Sequence, residues 1–393
     1  MKILLVSSGS GSRGGGEIFL NYLGKGLSDR GHEVVMWIPK HPRMDELAEK
    51  CARFSSIVRT DYRNTYDYPA RSFSTCINWK VSCRIARQWR ALRPDLIHIN
   101  KQNLEDGLDL LRAASRCALP SVCTIHLTQS ARYLHAWAGW LRDWISRWQL
   151  SRYRGALVAV QEGRRVALSE FLAGRACTKT VFNGVPRVGT AVSRPLREAT
   201  RSKLGLAARD YLVLGLGRLV EQKRPFLFLH KAKELHERVP ATKFVWVGDG
   251  KLADEWQRAV VCEKLEGVVR GMGWQDDVTP YLLAGDLLLH VAEFEGLPLA
   301  VIEAMAAGLP CAVTHALASE IPFFCEENVL FADDIEDLAK KVQNPLALAK
   351  VVEGGRRLVE EKLSIIRMAE SYEQLYIETI ARMICPDSLS LKT

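Results

Sequence analysis

Short apolar runs rich in β-branched residues alternate with helical patterns over most of this chain. That alternation limits the fold more than any other feature. Runs at 3–6, 33–38, 96–99, 121–125 and 156–160 read as strands, and after a break others stand at 211–216, 243–247, 268–272, 286–291 and 310–313. Apolar residues at the helical period fill the gaps, at 17–30, 82–92, 104–117, 225–239, 252–265 and 299–307. Strands separated by helices imply βαβ crossovers, hence parallel sheets in an α/β fold. The break near 186–210 is polar, rich in arginine and without an apolar run, and 393 residues suffice for two domains. We expect one domain at 1–186, a linker at 187–209, a second domain at 210–384 and a tail at 385–393. The last helical pattern, at 363–384, is long enough to pack back on the first domain.

Ligands of doubly wound sheets sit outside the carboxyl ends of strands, so the residues after each apolar run matter most. After the first run comes SSGSGSRGGGE, where Gly9, Gly11 and Gly14 satisfy the G-x-G-x-x-G spacing of a dinucleotide-binding turn. That site also wants an acidic residue at the end of the second strand, and HEVVMWIPK ends in Pro39 and Lys40 instead. The glycines therefore read as a loop whose amides can approach a phosphate, with no nicotinamide cofactor implied. Lys and Arg total 54 against 45 Asp and Glu, a net charge of +9 that suits phosphorylated small molecules, nucleic acid and anionic lipid equally. None of the usual nucleic-acid modules is present, so no nucleic-acid partner is expected. The ten cysteines are scattered without a C-x-x-C pair, which argues against zinc or a disulfide framework and for reduced thiols. No run approaches the roughly 20 apolar residues of a membrane span, and no signal-peptide pattern opens the chain. We expect a cytoplasmic protein.

The second half concentrates the chemistry. GLGRLVEQKRP places Arg218 and Lys223 just past an apolar run, where two cations can neutralise a diphosphate leaving group. One preorganised donor of that kind contributes about 3–4 kcal/mol to a transition state, although either residue alone could be an ordinary surface charge. WVGDGKL puts Gly248, Asp249 and Gly250 in a strand-to-helix turn, which suits close approach of a nucleotide or simply a positive φ. The densest segment is EFEGLPLAVIEAMAAGLPCAV. Glu295 stands just before a helix that begins near Pro298, and Glu303 lies eight residues on, about two turns into it. Amides from Gly296 and Leu297 onward can bind an anion or sugar hydroxyls, and a carboxylate at 303 suits a ribose diol.

Glu295 and Glu303 within EGLPLAVIEAMAAGLP, behind GRLVEQKR and VGDG, resemble the family 4 retaining glycosyltransferases of the GT-B fold. The resemblance covers most of the chain. GGGEIFLNYLGKGLSDRGHEV is similar to the family's first loop and helix, PDLIHIN to a segment usually ending in His-x-His, and TIHL to a strand ending in a histidine. VFNGVP resembles the usual Asn-Gly turn, and VRGMGWQDDVTPYLLAGDLLL the nucleobase-side strand and the helix after it. The resemblance implies two Rossmann-like parallel-sheet domains facing across a cleft, acceptor-binding at 1–186 and donor-binding at 210–384. The implied reaction moves a sugar from a nucleotide-diphosphate donor to an acceptor hydroxyl with retention, through an oxocarbenium-like transition state.

By the same resemblance, Gly15 and Gly16 present amides to the donor diphosphate while Arg218 and Lys223 carry its charge. Gly248, Asp249, Gly250 and Met272 flank the nucleotide, Glu295 with Gly296, Leu297 and Pro298 contacts the donor sugar, and Glu303 holds the ribose. His126 joins Glu295, Arg218 and Lys223 as the catalytic set. His98 and Asn183 fall on the acceptor side, where Asn100 replaces the family's second histidine. Glu320 matches a glutamate of a loop whose glycines are alanines here. The chain has no Asp-x-Asp pair, so neither a metal nor another cofactor is expected. The family's commonest use points to bacterial surface polysaccharide or lipopolysaccharide assembly on a glycan or lipid-linked glycan acceptor. A nucleotide-sugar epimerase and a non-catalytic nucleotide- or lipid-binding relative would share the architecture.

One segment stands outside this scheme. Between 131 and 154, Trp137, Trp140, Trp144 and Trp148 fall on one helical stripe, with Leu141 and Ile145 beside it. Arg132, Arg142, Arg147 and Arg154 take the flanks and the opposite side. Such a stripe either packs against the first sheet or lies on an anionic membrane at the inner face of the cytoplasmic membrane.

Overall fold

The structure, a computed structural model, describes residues 1–9, 11, 14–68, 72–77, 79–188 and 193–384. It divides into two compact units, Met1–Gly184 together with the helix that starts at Ile365, and Val185–Ser364. The tail expected at 385–393 lies outside the described residues.

The first unit opens with β1 (Lys2–Ser7), α1 (Gly15–Asp29), β2 (Glu33–Pro39), α2 (Asp45–Cys51) and β3 (Ser56–Thr60). It continues through α3 (Ser72–Ile77), α4 (Trp79–Ala91), β4 (Leu96–Lys101), α5 (Leu108–Cys117) and β5 (Ser121–Ile125). It then runs through α6 (Gly139–Leu150), β6 (Ala156–Ala159), α7 (Glu162–Phe171) and β7 (Thr178–Thr180). The second unit begins with α8 (Ser193–Lys203), β8 (Tyr211–Leu216), α9 (Pro225–Arg238), β9 (Thr242–Val247), α10 (Ala253–Cys262) and β10 (Val269–Gly271). After these come α11 (Thr279–Ala284), β11 (Leu287–His290), α12 (Leu299–Ala307), β12 (Cys311–Val313), α13 (His315–Ser319), β13 (Leu330–Phe331), α14 (Ile335–Val342) and α15 (Pro345–Lys362). A final helix, α16 (Ile365–Ile384), belongs to the first unit.

Both sheets are wholly parallel. The first has the order β3-β2-β1-β4-β5-β6-β7 and the second β10-β9-β8-β11-β12-β13. In each, the strand order reverses beside the unit's first strand, between β1 and β4 and between β8 and β11. Those are the two places where a doubly wound sheet opens a binding crevice at its carboxyl edge. The central strands are buried on both faces, as parallel strands covered by helices must be: Ile3 to Val6 are fully enclosed.

The strands absent from the sequence reading, β3, β7 and β13, are all edge strands. β3 and β7 are only partly apolar and β13 is two residues long, so pairing with a neighbour rather than local pattern makes them strands. The helix expected from 104 starts at Leu108. Ahead of it, Asn103 and Asp106 turn the chain: Asn103 Oδ1 accepts from the amides of Glu105 (2.9 Å) and Asp106 (3.1 Å), and Asp106 accepts from those of Gln102 and Asn103.

The stretch expected as a strandless linker at 187–209 carries α8. From it, Arg197 Nη2 and Arg201 Nη1 reach the Asp286 carboxylate at 2.5 and 2.9 Å, fixing the helix at the amino end of β11. α16 lies against α1 and β5. Arg30 and His32 both pair with Glu373, and the Tyr372 hydroxyl hydrogen-bonds Thr124 at 2.7 Å.

The tryptophan stripe corrects one of the two expectations for it. It is not buried against the sheet, because α6 turns Ile145, Ser146 and Leu150 inward and leaves its tryptophans in solvent. Arg142 is no surface residue either. It is buried, donating from Nε to Glu105 Oε1 (2.7 Å) and from Nη2 to Oε2 (2.5 Å).

Candidate active site

In the second unit the loops after β8 and β11 meet at the switch point. Gln222 binds them: its carbonyl accepts from the amide of Glu293 (2.8 Å), and its Nε2 donates to the carbonyl of Phe294 (2.9 Å). This brings Lys223 to Glu295, whose Oε1 receives the ammonium and, at 3.1 Å, Nε2 of His290. All three side chains are buried or nearly so. Burial alone would raise the Glu295 carboxyl, but Lys223 and then His290 outweigh it and bring its pKa down to about 2. Burial lowers the pKa of His290, with Lys223 adding to the shift, so the ring is neutral at pH 7 and carries its proton on Nε2.

Lys223 is thus already paired, whereas the sequence placed it with Arg218 as a second open cation. Arg218 is exposed just past β8; its carbonyl accepts from the Val220 amide (2.9 Å), and its guanidinium makes no hydrogen bond or ion pair among the described residues.

The neighbouring turns are stacked backbone to backbone. Gly248 has φ +135° and lies so close to the Gly217 carbonyl that a Cβ would collide with it. The Gly248 amide donates to the Gly273 carbonyl (2.8 Å), the Leu219 amide to that of Asp249 (3.0 Å), and Met272 to that of Trp246 (2.9 Å). Gly250 packs on the Leu219 carbonyl, and Asp249 stays exposed. Gly296, Leu297 and Pro298 lead, all buried, into α12, where the Val301 and Ile302 amides donate to the Pro298 carbonyl (3.1 and 3.2 Å) and those of Leu299 and Ala300 stand ahead of the first intrahelical bond. Glu303 is buried just over one turn into α12 rather than two, because the helix starts at Leu299. Glu320 caps the carboxyl end of α13. The alanines that replace the expected glycines make that segment helical rather than an open loop.

In the first unit, Gly15 and Gly16 are the first residues of α1, Gly15 exposed and Gly16 buried. Gly16 lies against the amide end of the Gln102 side chain, which would have to move aside for a Cβ there. His126, at the end of β5, donates from Nε2 to Asn100 Oδ1 (2.8 Å), and Asn100 Nδ2 donates to the Gly16 carbonyl (3.0 Å). Burial lowers the His126 pKa to about 4, so the ring is neutral and Nδ1 is left as an acceptor.

His98 needs correction as an acceptor-side residue. Fully buried, it uses both ring nitrogens internally, Nδ1 with the Tyr376 hydroxyl (2.5 Å) and Nε2 with Thr124 Oγ1 (2.8 Å). Asn183 is buried in the segment after β7. Among the described residues no group of His, Cys, Asp and Glu could hold a metal ion.

Sequence reasoning missed three residues here: His290, Gln222 and the structural role of Asn100. His290 had a signal, a lone histidine in the otherwise apolar strand LLLH five residues before Glu295. Gln222 had none.

Comparison with known proteins bears on the family and the fold. Residues 13–187 match Glycosyltransferase Family 4 and residues 210–347 match Glycosyl transferases group 1, so the two matches span most of the chain. An Escherichia coli UDP-Gal:alpha-D-GlcNAc-diphosphoundecaprenol alpha-1,3-galactosyltransferase is 28% identical over 148 residues, 37% of this chain and 38% of the relative. The lipopolysaccharide core biosynthesis glycosyltransferase LpsE of Rhizobium meliloti is 28% identical over 181 residues, 44% of this chain and 52% of the relative. The chain spans about half or less of the length of these curated relatives. Among solved structures, Anabaena HepE in complex with UDP superposes with a TM-score of 0.72 over 96% of this chain and 100% of that one. At 18% identity this is a likeness of fold, and the fold is GT-B.

Proposed function

Because the chain belongs to the group 1, family 4 glycosyltransferases, we propose that it moves a sugar from a nucleoside-diphosphate sugar to an acceptor hydroxyl, with retention at the anomeric carbon. The observation that carries the proposal is the switch point of the second sheet. There an unpaired Arg218, the buried Lys223–Glu295–His290 cluster and the amino terminus of α12 share one edge.

In this reading Arg218 and backbone amides take the charge that develops on the leaving diphosphate. Lys223 and His290 hold Glu295 ionised toward the hydroxyls of the donor sugar, and Glu303 accepts from the ribose. The bond from the anomeric carbon to the diphosphate breaks, the acceptor oxygen bonds to that carbon, and its proton passes to the departing phosphate. His126 contributes Nδ1 as an acceptor, while its Nε2 supports the Gly16 end of α1 through Asn100. With no Asp-x-Asp pair in the sequence, the reading assigns the diphosphate charge to Arg218 and needs no metal. The names of the Escherichia coli and Rhizobium meliloti relatives support a glycan or lipid-linked glycan acceptor, and in this reading it is used at the cytoplasmic face of the membrane.

The test is a titration of UDP, GDP, ADP, dTDP and NAD⁺ into the purified protein. Saturable binding of one nucleoside diphosphate is expected, weakened about tenfold or more in Glu303→Ala, since a lost charged hydrogen bond contributes about 1.5–3 kcal/mol. Turnover should survive EDTA. Binding of NAD⁺ alone would overturn the proposal.

A further inference from the structure

The tryptophan face of α6 is exposed, basic and rigidly mounted. Trp137, Trp140, Trp144 and Trp148 are 81%, 69%, 59% and 39% exposed, and Tyr133 and Leu134 extend the patch past the start of the helix. Soluble surfaces rarely leave so much contiguous aromatic area in water.

This patch is not a loose loop. Asp143 accepts from the amides of Ala131 (2.7 Å) and Arg132 (3.1 Å), tying the 131–138 turn to the helix. Arg142 is buried against Glu105 and donates from Nη1 to the Trp137 carbonyl (3.2 Å). Gly139 sits against the Arg132 backbone, where a Cβ would intrude.

Within 131–154 the exposed charge has one sign. Arg132, Arg147, Arg152 and Arg154 are exposed, and the single acid between 131 and 154, Asp143, is buried in its amide bonds. Arg152 stacks on the Trp148 ring at 4.1 Å, so three of these four arginines, Arg147, Arg152 and Arg154, stand at the end where tryptophan exposure is lowest, while Arg132 precedes the helix.

We propose that this face docks on an anionic bilayer. α6 and its flanking turns lie in the lipid–water interface, with Trp137, in the turn before the helix, and Trp140 deeper, and Arg147, Arg152 and Arg154 at the phosphates. Indole rings favour the headgroup level, and arginines favour anionic lipid. A second copy is a poor occupant, because a two-fold contact would bring two basic faces together. The docking gives a lipid-linked acceptor a surface on which to meet the protein, but its test does not depend on transfer.

The experiment is flotation of the full chain with phosphatidylcholine vesicles, with and without about a third phosphatidylglycerol. The protein should float only with the anionic vesicles. The combined Trp137→Ser, Trp140→Ser and Trp144→Ser variant should stay at the bottom, with an unchanged circular dichroism spectrum because those side chains are exposed. Each of Arg147→Gln, Arg152→Gln and Arg154→Gln should weaken partitioning about fivefold. In brominated lipid, a variant keeping Trp137 alone of the four should be quenched more than one keeping Trp148 alone. The proposal is overturned if the wild type stays at the bottom, or if the triple variant floats like it. A dimer abolished by the tryptophan substitutions, with no flotation, would also overturn it and assign the face to a second copy.

Discussion

Replacing Lys223 with methionine separates the electrostatics of the second unit's switch point from its packing. In the wild type Glu295 ionises with a pKa of about 2 against an ordinary 4.5. At about 1.36 kcal/mol per unit, that difference corresponds to about 3 kcal/mol of folding stability. The sign follows from the depressed pKa. The contribution is complete above pH 4.5 and is lost as pH falls toward 2. Without the ammonium, burial dominates and the carboxyl of Glu295 moves up instead, with only a neutral His290 beside it.

Lys223→Met should therefore cost about 3 kcal/mol near pH 7, in line with breaking a buried pair, and less than half of that near pH 3. Urea unfolding of the wild type, Lys223→Met, Glu295→Gln and the double variant, at both pH values, measures the pairwise term. The double variant should recover most of the loss at neutral pH, since glutamine can still accept from His290. A coupling below about 0.5 kcal/mol, or a cost in Lys223→Met that does not change with pH, would refute the assignment.

Other outcomes are fixed by the same physics. Arg142→Ala should destabilise the protein by about 3–5 kcal/mol by leaving Glu105 buried and unpaired, whereas Arg142→Met with Glu105→Leu should cost far less, both read from urea midpoints. His98 and His126 have pKa values of about 3 and about 4 because burial disfavours their charged forms. Between the ordinary 6.5 and those values the unfolded chain binds protons that the folded one does not, so stability should fall as pH drops through that window. His126→Gln should flatten part of that slope in a pH series of thermal melts. Tyr376→Phe should cost about 1–3 kcal/mol by leaving His98 Nδ1 buried without a partner.

Much of the donor side was legible because its signals are local. A parallel strand buried on both faces reads as an apolar run, and a helix as a 3.6-residue period. Glu295 and Glu303 are separated by one loop and little more than one helical turn. The glycines at 248 and 250 mark turns where backbone must pass close to backbone. These features depend on a few neighbouring residues, and so the alternation alone gave two α/β domains. The edge strands β3, β7 and β13 escaped because segments that are short or only partly apolar become strands through the partner they pair with.

By itself, then, the sequence determined the α/β class, the central strands of both sheets and the residue types after their carboxyl ends. Tertiary structure decided which of those residues are open and which are spent. It buried His98 under Tyr376, 278 positions along the chain, and gave Lys223 to a carboxylate 72 positions away. It also returned α16 to the first unit and turned α6 so that Ile145 is buried and the tryptophans meet solvent. A helical period shows which residues share a face. Which face is covered depends on what the rest of the chain packs against it, and partners that distant leave no mark in the local pattern.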